Sequence, residues 1–372
     1  MCIRDSAHTM QNYVGGYGAM IHPVGACATA AVSVEEGVDK IALGKADFVV
    51  AGAIDDISVE SITGFASMNA TADSDVMAGK GINERFYSRP NDRRRGGFVE
   101  SQGGGTVLLA RGSLAAQMGL PVHAVVGYAQ SFADGAHTSI PAPGLGALAA
   151  GRGGTSSALA TKLADLGVGA DDITVVSKHD TSTNANDPNE SELHTRLARS
   201  MGRTEGNPLF VVSQKALTGH AKGGAAVFQM AGLINMFTTS TIPANASLDC
   251  VDPELAENPE LVWLTRPLRA EVKAGLLTSL GFGHVSALVA LVHPAAFYQC
   301  LAQVDADGAK RWLERATARL RSGRRRLESG MLGHTPLFTP IESRRLGDDG
   351  HEVEAAMLLN PDARLAETGF YR

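Results

Sequence analysis

Val24-Gly-Ala-Cys-Ala-Thr-Ala-Ala31 is a turn of small residues running into a helical pattern that continues to Leu43. A helix start leaves backbone N–H groups unpaired at the positive end of the helix dipole, and both favour thiolate over thiol at Cys27. The small neighbours leave room for a substrate carbonyl to reach the sulfur. A lone cysteine among glycine and alanine is most often a small hydrophobe of the core. Two histidines far downstream, His179 and His220, sit in equally tight Gly- and Thr-rich settings and change those odds. Together the three residues point to acyl chemistry.

Outward from this helix, Ala46-Asp-Phe-Val-Val-Ala-Gly-Ala53 is a short apolar run bounded by turn residues, which predicts a buried strand. A loop-rich stretch spans 68–97. Strand patterns follow at Thr106-Val-Leu-Leu-Ala110 and at Val122-His-Ala-Val-Val-Gly-Tyr128, where a second half begins. Residues 154–166 read as helix, Ile173-Thr-Val-Val176 as a strand leading to His179, Leu209-Phe-Val-Val212 as a strand leading to Lys215 and His220, and 225–237 as helix. Leu217-Thr-Gly-His-Ala-Lys-Gly-Gly-Ala-Ala226 repeats the glycine turn into a small-residue helix seen around Cys27, which suggests an internal duplication. The βα alternation predicts an α/β fold, a buried sheet with helices on both faces and ligands beyond the carboxyl ends of the strands.

Composition excludes several function classes. A net charge of −6 argues against nucleic acid as a partner, and no apolar run approaches the ~18 residues of a membrane span. The four cysteines, Cys2, Cys27, Cys250 and Cys300, form neither a CxxC pair nor a disulfide framework, and no apolar signal segment precedes them. A cytoplasmic location is expected.

Three further segments, in order after Gly-Ala-Cys27-Ala-Thr-Ala, carry a resemblance: His179-Asp-Thr-Ser-Thr183, Gln214-Lys-Ala-Leu-Thr-Gly-His220 and Leu280-Gly-Phe-Gly-His-Val-Ser286. The set resembles the β-ketoacyl synthases of the thiolase superfamily. The wording Lys178-His-Asp-Thr-Ser-Thr-Asn-Ala-Asn-Asp-Pro-Asn-Glu190 is similar to the synthase domain of type I multifunctional fatty acid synthases of fungal and actinobacterial type. Discrete bacterial enzymes instead carry Ala-His-Gly-Thr at the first histidine. The resemblance implies a thiolase-like fold of duplicated βαβ halves in α/β/α/β/α layers, with the first half incomplete. It implies the nucleophile half over 7–120, the histidine half over 121–294 and a C-terminal extension over 295–372. Met1-Cys-Ile-Arg-Asp-Ser6 does not resemble the family and is expected to be an artefact, whereas Ala7-His-Thr-Met-Gln-Asn-Tyr-Val-Gly-Gly-Tyr17 does. With little chain before Cys27, an N-terminally truncated fragment is expected.

What the resemblance implies chemically suits the residues. Cys27 would hold the acyl chain as a thioester, because a thiolate both attacks and leaves readily. His179 and His220 would polarise the malonyl thioester as it loses carbon dioxide. The N–H groups of Cys27 and Phe282 would form the oxyanion hole, with Phe282 as a gating ring between Gly281 and Gly283. Lys215 would be the family's buried lysine, and Glu190 its partner in a pair that holds the histidine loops. Gln229 stands where a carboxylate is often found. No dissociable cofactor is implied, only the phosphopantetheine arm of an acyl carrier protein domain, with acyl and malonyl thioesters as substrates and a homo-oligomer formed through the synthase.

Other readings were weighed. His22, His123, His137 and His194 are assigned nothing, and a structural hydrogen bond suits His284 better than catalysis. Arg93 to Arg95 fit either an acidic carrier or its phosphate, or structural ion pairs. Gly151-Arg-Gly-Gly-Thr-Ser-Ser157 lacks the ending of a phosphate loop and reads as a helix cap. The stretch 310–326 is a basic amphipathic helix suited to packing on a neighbouring domain or subunit. A thiol protease lacks the two-histidine-plus-lysine set, a polyketide synthase ketosynthase predicts Ala-His-Gly-Thr, and an inert thiolase-fold scaffold typically loses the cysteine.

Overall fold

The computed structural model describes residues 19–135 and 145–334. The expectations for 1–6, for Ala7 to Tyr17, for His137 and for 335–372 lie outside the described residues. Pro23–Leu313 is one compact unit, and Met1–His22 with Glu314–Arg372 make a second.

A 3-10 turn at Ala26–Ala28 opens helix α1 (Thr29–Ala42), followed by β1 (Phe48–Asp55), α2 (Val59–Ser67), α3 (Ser74–Gly79), β2 (Gly103–Ala110) and α4 (Gly112–Met118). Then come β3 (Val125–Ala133), α5 (Ala158–Ala164), β4 (Ile173–Ser177), α6 (Asn186–Ser200), β5 (Leu209–Val212), α7 (Lys215–Thr218) and α8 (Ala225–Thr239). The chain continues through β6 (Thr241–Ile242), α9 (Pro253–Ala256), β7 (Leu261–Trp263), β8 (Leu268–Arg269), β9 (Ala274–Gly281), β10 (Val285–Val292), α10 (Ala295–Val304) and α11 (Ala306–Met331).

The six-stranded sheet has the order β3-β10-β9-β4-β5-β7. β9, β4, β5 and β7 run parallel, while β10 is antiparallel to both β9 and β3. Every residue of β9 is buried, so its faces separate by neighbour and not by polarity. Val176, Leu276 and Leu288 join Leu159, Leu163, Leu193 and Leu197 of α5 and α6 on one face. Val175, Leu277 and Val289 join Ala30, Val34, Met230 and Leu233 of α1 and α8 on the other. The far side of α1 and α8 packs on the antiparallel pair β1–β2, where Val49, Val107 and Leu109 meet that helix layer. The described residues therefore form α/β/α/β layers around the sheet.

Several local readings hold and others need correction: β1 forms where a buried strand is expected, yet only its Ala51 is buried and Val50 and Ile54 are exposed. The helix start at 154 is a short 3-10 turn, after which Ser157 caps α5 by accepting a hydrogen bond from the Ala160 N–H at 3.2 Å. Helix α2 has no counterpart among the sequence expectations, although Val59, Ile62, Phe65 and Ala66 recur at helical spacing, and none of its residues is buried. The basic helix starts at Ala306 and docks its first turns on its own unit, where the Trp312 Nε1–H donates to the Leu120 carbonyl at 3.0 Å and its ring lies 4.8 Å from Phe297.

Candidate active site

Three neighbouring parallel strands end at one place. β4 runs out into Lys178 and His179, β5 into Ser213 and Lys215, and β9 into Phe282. Parallel strands leave their carboxyl ends on one edge, so side chains far apart in sequence are delivered together. Cys27 arrives from the helix layer, in the 3-10 turn before α1, and is 4% exposed. Ala26 beside it adopts the left-handed region at φ 47°, a conformation costing roughly 1–2 kcal/mol in a residue with a Cβ. Gly281 explains how β9 comes so near: a Cβ there would lie 2.2 Å from the Gly25 carbonyl oxygen. Ser279 completes the seam by donating to the Cys27 carbonyl at 3.0 Å.

The Phe282 backbone N–H faces the Cys27 sulfur and favours its anion. An acyl carbonyl bonded to that sulfur has this donor at hand. The thiol itself departs from the sequence expectation. Burial pushes Cys27 up from 9.0 to about 11, and the Lys215 ammonium opposes this only in part. The dipole argument holds for an exposed helix start, whereas here desolvation wins. Alkylation of Cys27 by iodoacetamide is therefore expected to accelerate towards pH 11, with a midpoint about two units above an exposed cysteine, and Lys215→Met should move it further up. A midpoint near 9 would contradict the buried thiol. Since the folded value lies above the unfolded one, the thiol's contribution to stability is complete below about pH 9 and lost as pH climbs through about 11.

His179 and His220 are both buried, with ring centroids 5.1 Å apart and planes at 90°. Burial, then the Lys215 ammonium, holds both imidazoles well below the usual histidine range, so both are neutral. The Lys215 Nζ lies 3.2 Å from His179 Nδ1, which assigns Nδ1 as acceptor and places the ring hydrogen on Nε2. Lys215 also donates to the His179 carbonyl, and burial brings its own ammonium down to about 8.

Lys215 and Glu190 do not make the direct pair expected from the sequence. Glu190 accepts from the backbone N–H groups of His179 at 2.6 Å and Asp180 at 2.7 Å, and from Thr278 and Asn186 at 2.6 and 2.7 Å. The physical reason is local. The turn after β4 presents two successive N–H groups to helix α6 and its carbonyl to α7, so the carboxylate takes the first and the ammonium the second. His179 sits between them, clamped through both backbone groups. Burial, with Asp180 next, pushes the Glu190 carboxyl upward, and four donors hold it as the anion.

Other residues around the site carried little signal in the sequence. Lys178 is fully buried, 2.8 Å from Asp180 and from Asn91 Oδ1, and donates to Ser191 at 3.0 Å. Asn91, at φ 65°, also donates to Asp180 and Ser213, so the arginine loop is tied under the histidine turn. In that loop Arg89 pairs with Asp92 and Asp249, Arg94 with Asp249, and Arg95 with Asp252; the structural reading holds for Arg94 and Arg95, while Arg93 is exposed. Gln229 serves as a neutral donor to the carbonyls of Ser177, Lys178 and Thr278, a role no carboxylate could fill at three carbonyl oxygens. The His284 carbonyl accepts from Asp134 N at 2.9 Å. A row of rings runs from Phe282 to Phe65 at 5.5 Å, to Phe98 at 5.2 Å and to His220 at 4.9 Å. Among the described residues, no histidine, cysteine and carboxylate cluster could hold a metal, and no helix is long and apolar enough to cross a membrane.

Comparison with known proteins agrees with this geometry. Residues 7–115 match the N-terminal domain of β-ketoacyl synthases and residues 123–249 the C-terminal domain. The chain is 36% identical over 97% of its length to the fatty acid synthase alpha subunit stcJ of Emericella nidulans, of which it spans 23%. It is 35% identical over 94% of its length to fatty acid synthase 2 of Mycosarcoma maydis, of which it spans 9%. The noncanonical ketosynthase FabY from P. aeruginosa shares the fold, with a TM-score of 0.81 at 23% identity over 96% of this chain and 58% of that one. With the N-terminal domain match spanning Cys27 and the C-terminal one spanning His179, Lys215 and His220, the chain belongs to the β-ketoacyl synthase family.

Proposed function

We propose that the chain performs a decarboxylative Claisen condensation in fatty acid synthesis, as part of a larger synthase. Cys27 sulfur attacks the thioester carbonyl of an acyl chain on the phosphopantetheine arm of a carrier domain. The oxyanion is held by the N–H groups of Cys27 and Phe282, and the carrier thiol departs with the cysteine proton. A malonyl thioester then loses carbon dioxide, and its enolate oxygen is held by the Nε2–H of His179 and by His220. The enolate carbon attacks the acyl carbonyl, the C–S bond to Cys27 breaks, the thiolate released takes a proton from water, and a 3-oxoacyl thioester leaves on the carrier. Lys215 and Glu190 act as positioning residues on His179.

On this reading the nucleophile half covers 7–120, the histidine half 121–294 and an extension 295–372, and the enzyme works in the cytoplasm as a homo-oligomer. The observation that carries it is the buried Cys27 sulfur beside the Phe282 backbone N–H, together with two neutral, perpendicular imidazoles, of which His179 accepts from Lys215. Incubation with octanoyl-CoA or a cerulenin-type epoxide is expected to add one adduct mass to the Cys27 peptide, absent from Cys27→Ser. Labelling on another residue, or condensation surviving that substitution, would remove Cys27 as the nucleophile.

A further inference from the structure

We propose that the buried ion pair between Lys222 and Glu100 is a latch that holds helix α2, and with it Phe65, against Phe282, so that water is kept from the acyl group on Cys27. This rests on the proposed acylation of Cys27.

Helix α2 is poorly held by packing, because none of its residues is buried. Segments with few apolar contacts open at little cost. Its attachments are few and specific. Phe65 touches the rings of Phe98 and Phe282, and the Ser61 hydroxyl donates to Glu100 Oε2 at 2.6 Å. The same oxygen receives the Lys222 ammonium at 3.2 Å, with the two side chains only 9% and 6% exposed. Glu100 Oε1 is buried with no hydrogen-bond partner, so the carboxylate depends on Lys222 and Ser61 through its other oxygen. A buried charge with so few partners is costly to leave unpaired, which makes the latch closed by default.

The pair is anchored on the site side. Glu100 is bracketed against His220 by two backbone hydrogen bonds, His220 N to Val99 O at 2.8 Å and Ser101 N to His220 O at 3.2 Å. Lys222 adopts φ 45°, a strained conformation for a residue with a Cβ, and it also donates to the Asp56 carbonyl at 2.6 Å. The next residue, Gly223, donates its N–H to Asp55 at 3.1 Å. Lys222 thereby joins the histidine turn, the end of β1 and helix α2. Its ammonium also lowers both the His220 imidazole and the Cys27 thiol.

Opening of the latch exposes the acyl thioester to water, which adds to the carbonyl and releases a free acid and the Cys27 thiol. The test is the partition of octanoyl-Cys27 between hydrolysis and condensation with a malonyl thioester, in the full chain. A merely structural lesion lowers the active fraction but leaves this ratio unchanged. Ser61→Ala and Lys222→Met are each expected to raise hydrolysis relative to condensation about tenfold, the effect of losing one charge-assisted hydrogen bond, and Lys222→Arg to restore the wild-type ratio. A wild-type ratio in Ser61→Ala, which removes no charge, overturns the latch even if Lys222→Met does not fold. Equal ratios in Lys222→Met and Lys222→Arg overturn it as well. Absence of any octanoyl adduct in the wild type instead removes the proposed function, and the latch with it.

Discussion

His179→Ala and His220→Ala are each expected to slow release of carbon dioxide from a malonyl thioester by about 10²–10³-fold, the range for removing one preorganised oxyanion donor. The geometry makes the two effects separable from acylation. In the resting site the two rings face each other and Lys215, and neither bonds to the Cys27 sulfur. Octanoyl transfer to Cys27 should therefore survive both substitutions better than decarboxylation does, a contrast read by mass spectrometry beside labelled carbon dioxide release. Of the two, His179→Ala should do further harm, because Lys215 then loses the Nδ1 acceptor at 3.2 Å and retains only the backbone carbonyl. Decarboxylation at the wild-type rate in both variants would move the enolate away from the imidazoles.

Glu190→Ala carries the largest expected loss of stability, about 3–5 kcal/mol, the range for removing one partner of a buried charged network. Four donors converge on this carboxylate, two of them backbone N–H groups that no water can reach. Deleting it leaves the Lys178 and Lys215 ammonium groups among fewer anions and frees the turn that carries His179. Glu190→Gln keeps the shape but turns one acceptor into a donor facing donors, so it should fall between wild type and alanine. Urea unfolding followed by circular dichroism measures both. A loss under about 1 kcal/mol for alanine would mean that the turn is held by Lys178, Asn91 and Gln229 without Glu190.

The order of motifs made much of this site readable beforehand. Cys27, His179, Lys215, His220 and Phe282 each follow a short apolar run or a glycine turn, and such local signals survive in sequence because backbone conformation demands them. Glu190 was legible only by its spacing from His179, and its partner was misread. Distance along the chain says which residues share a loop, but not which side of a turn offers N–H groups and which offers a carbonyl. The direction of the Cys27 shift was misread for a similar reason. A helix start is visible in a string of letters, while the burial that outweighs it comes from β9 and its Gly281 meeting Gly25 across the fold. Phe98, Glu100 and Lys222 gave no warning, since aromatic and charged residues in loops have no period to betray them.

By itself the sequence determined the α/β alternation, the placing of reactive side chains at the ends of β4 and β5, and the type of chemistry to which a cysteine with two histidines points. Those properties depend on neighbours within a few residues, where backbone sterics and polarity act directly. Only the tertiary structure decided the protonation of Cys27, the clamp of His179 between Glu190 and Lys215, and the buried pairing of Lys222 with Glu100. Each of these is a matter of desolvation and of charges brought together from distant segments, quantities that exist only once the sheet has closed over them.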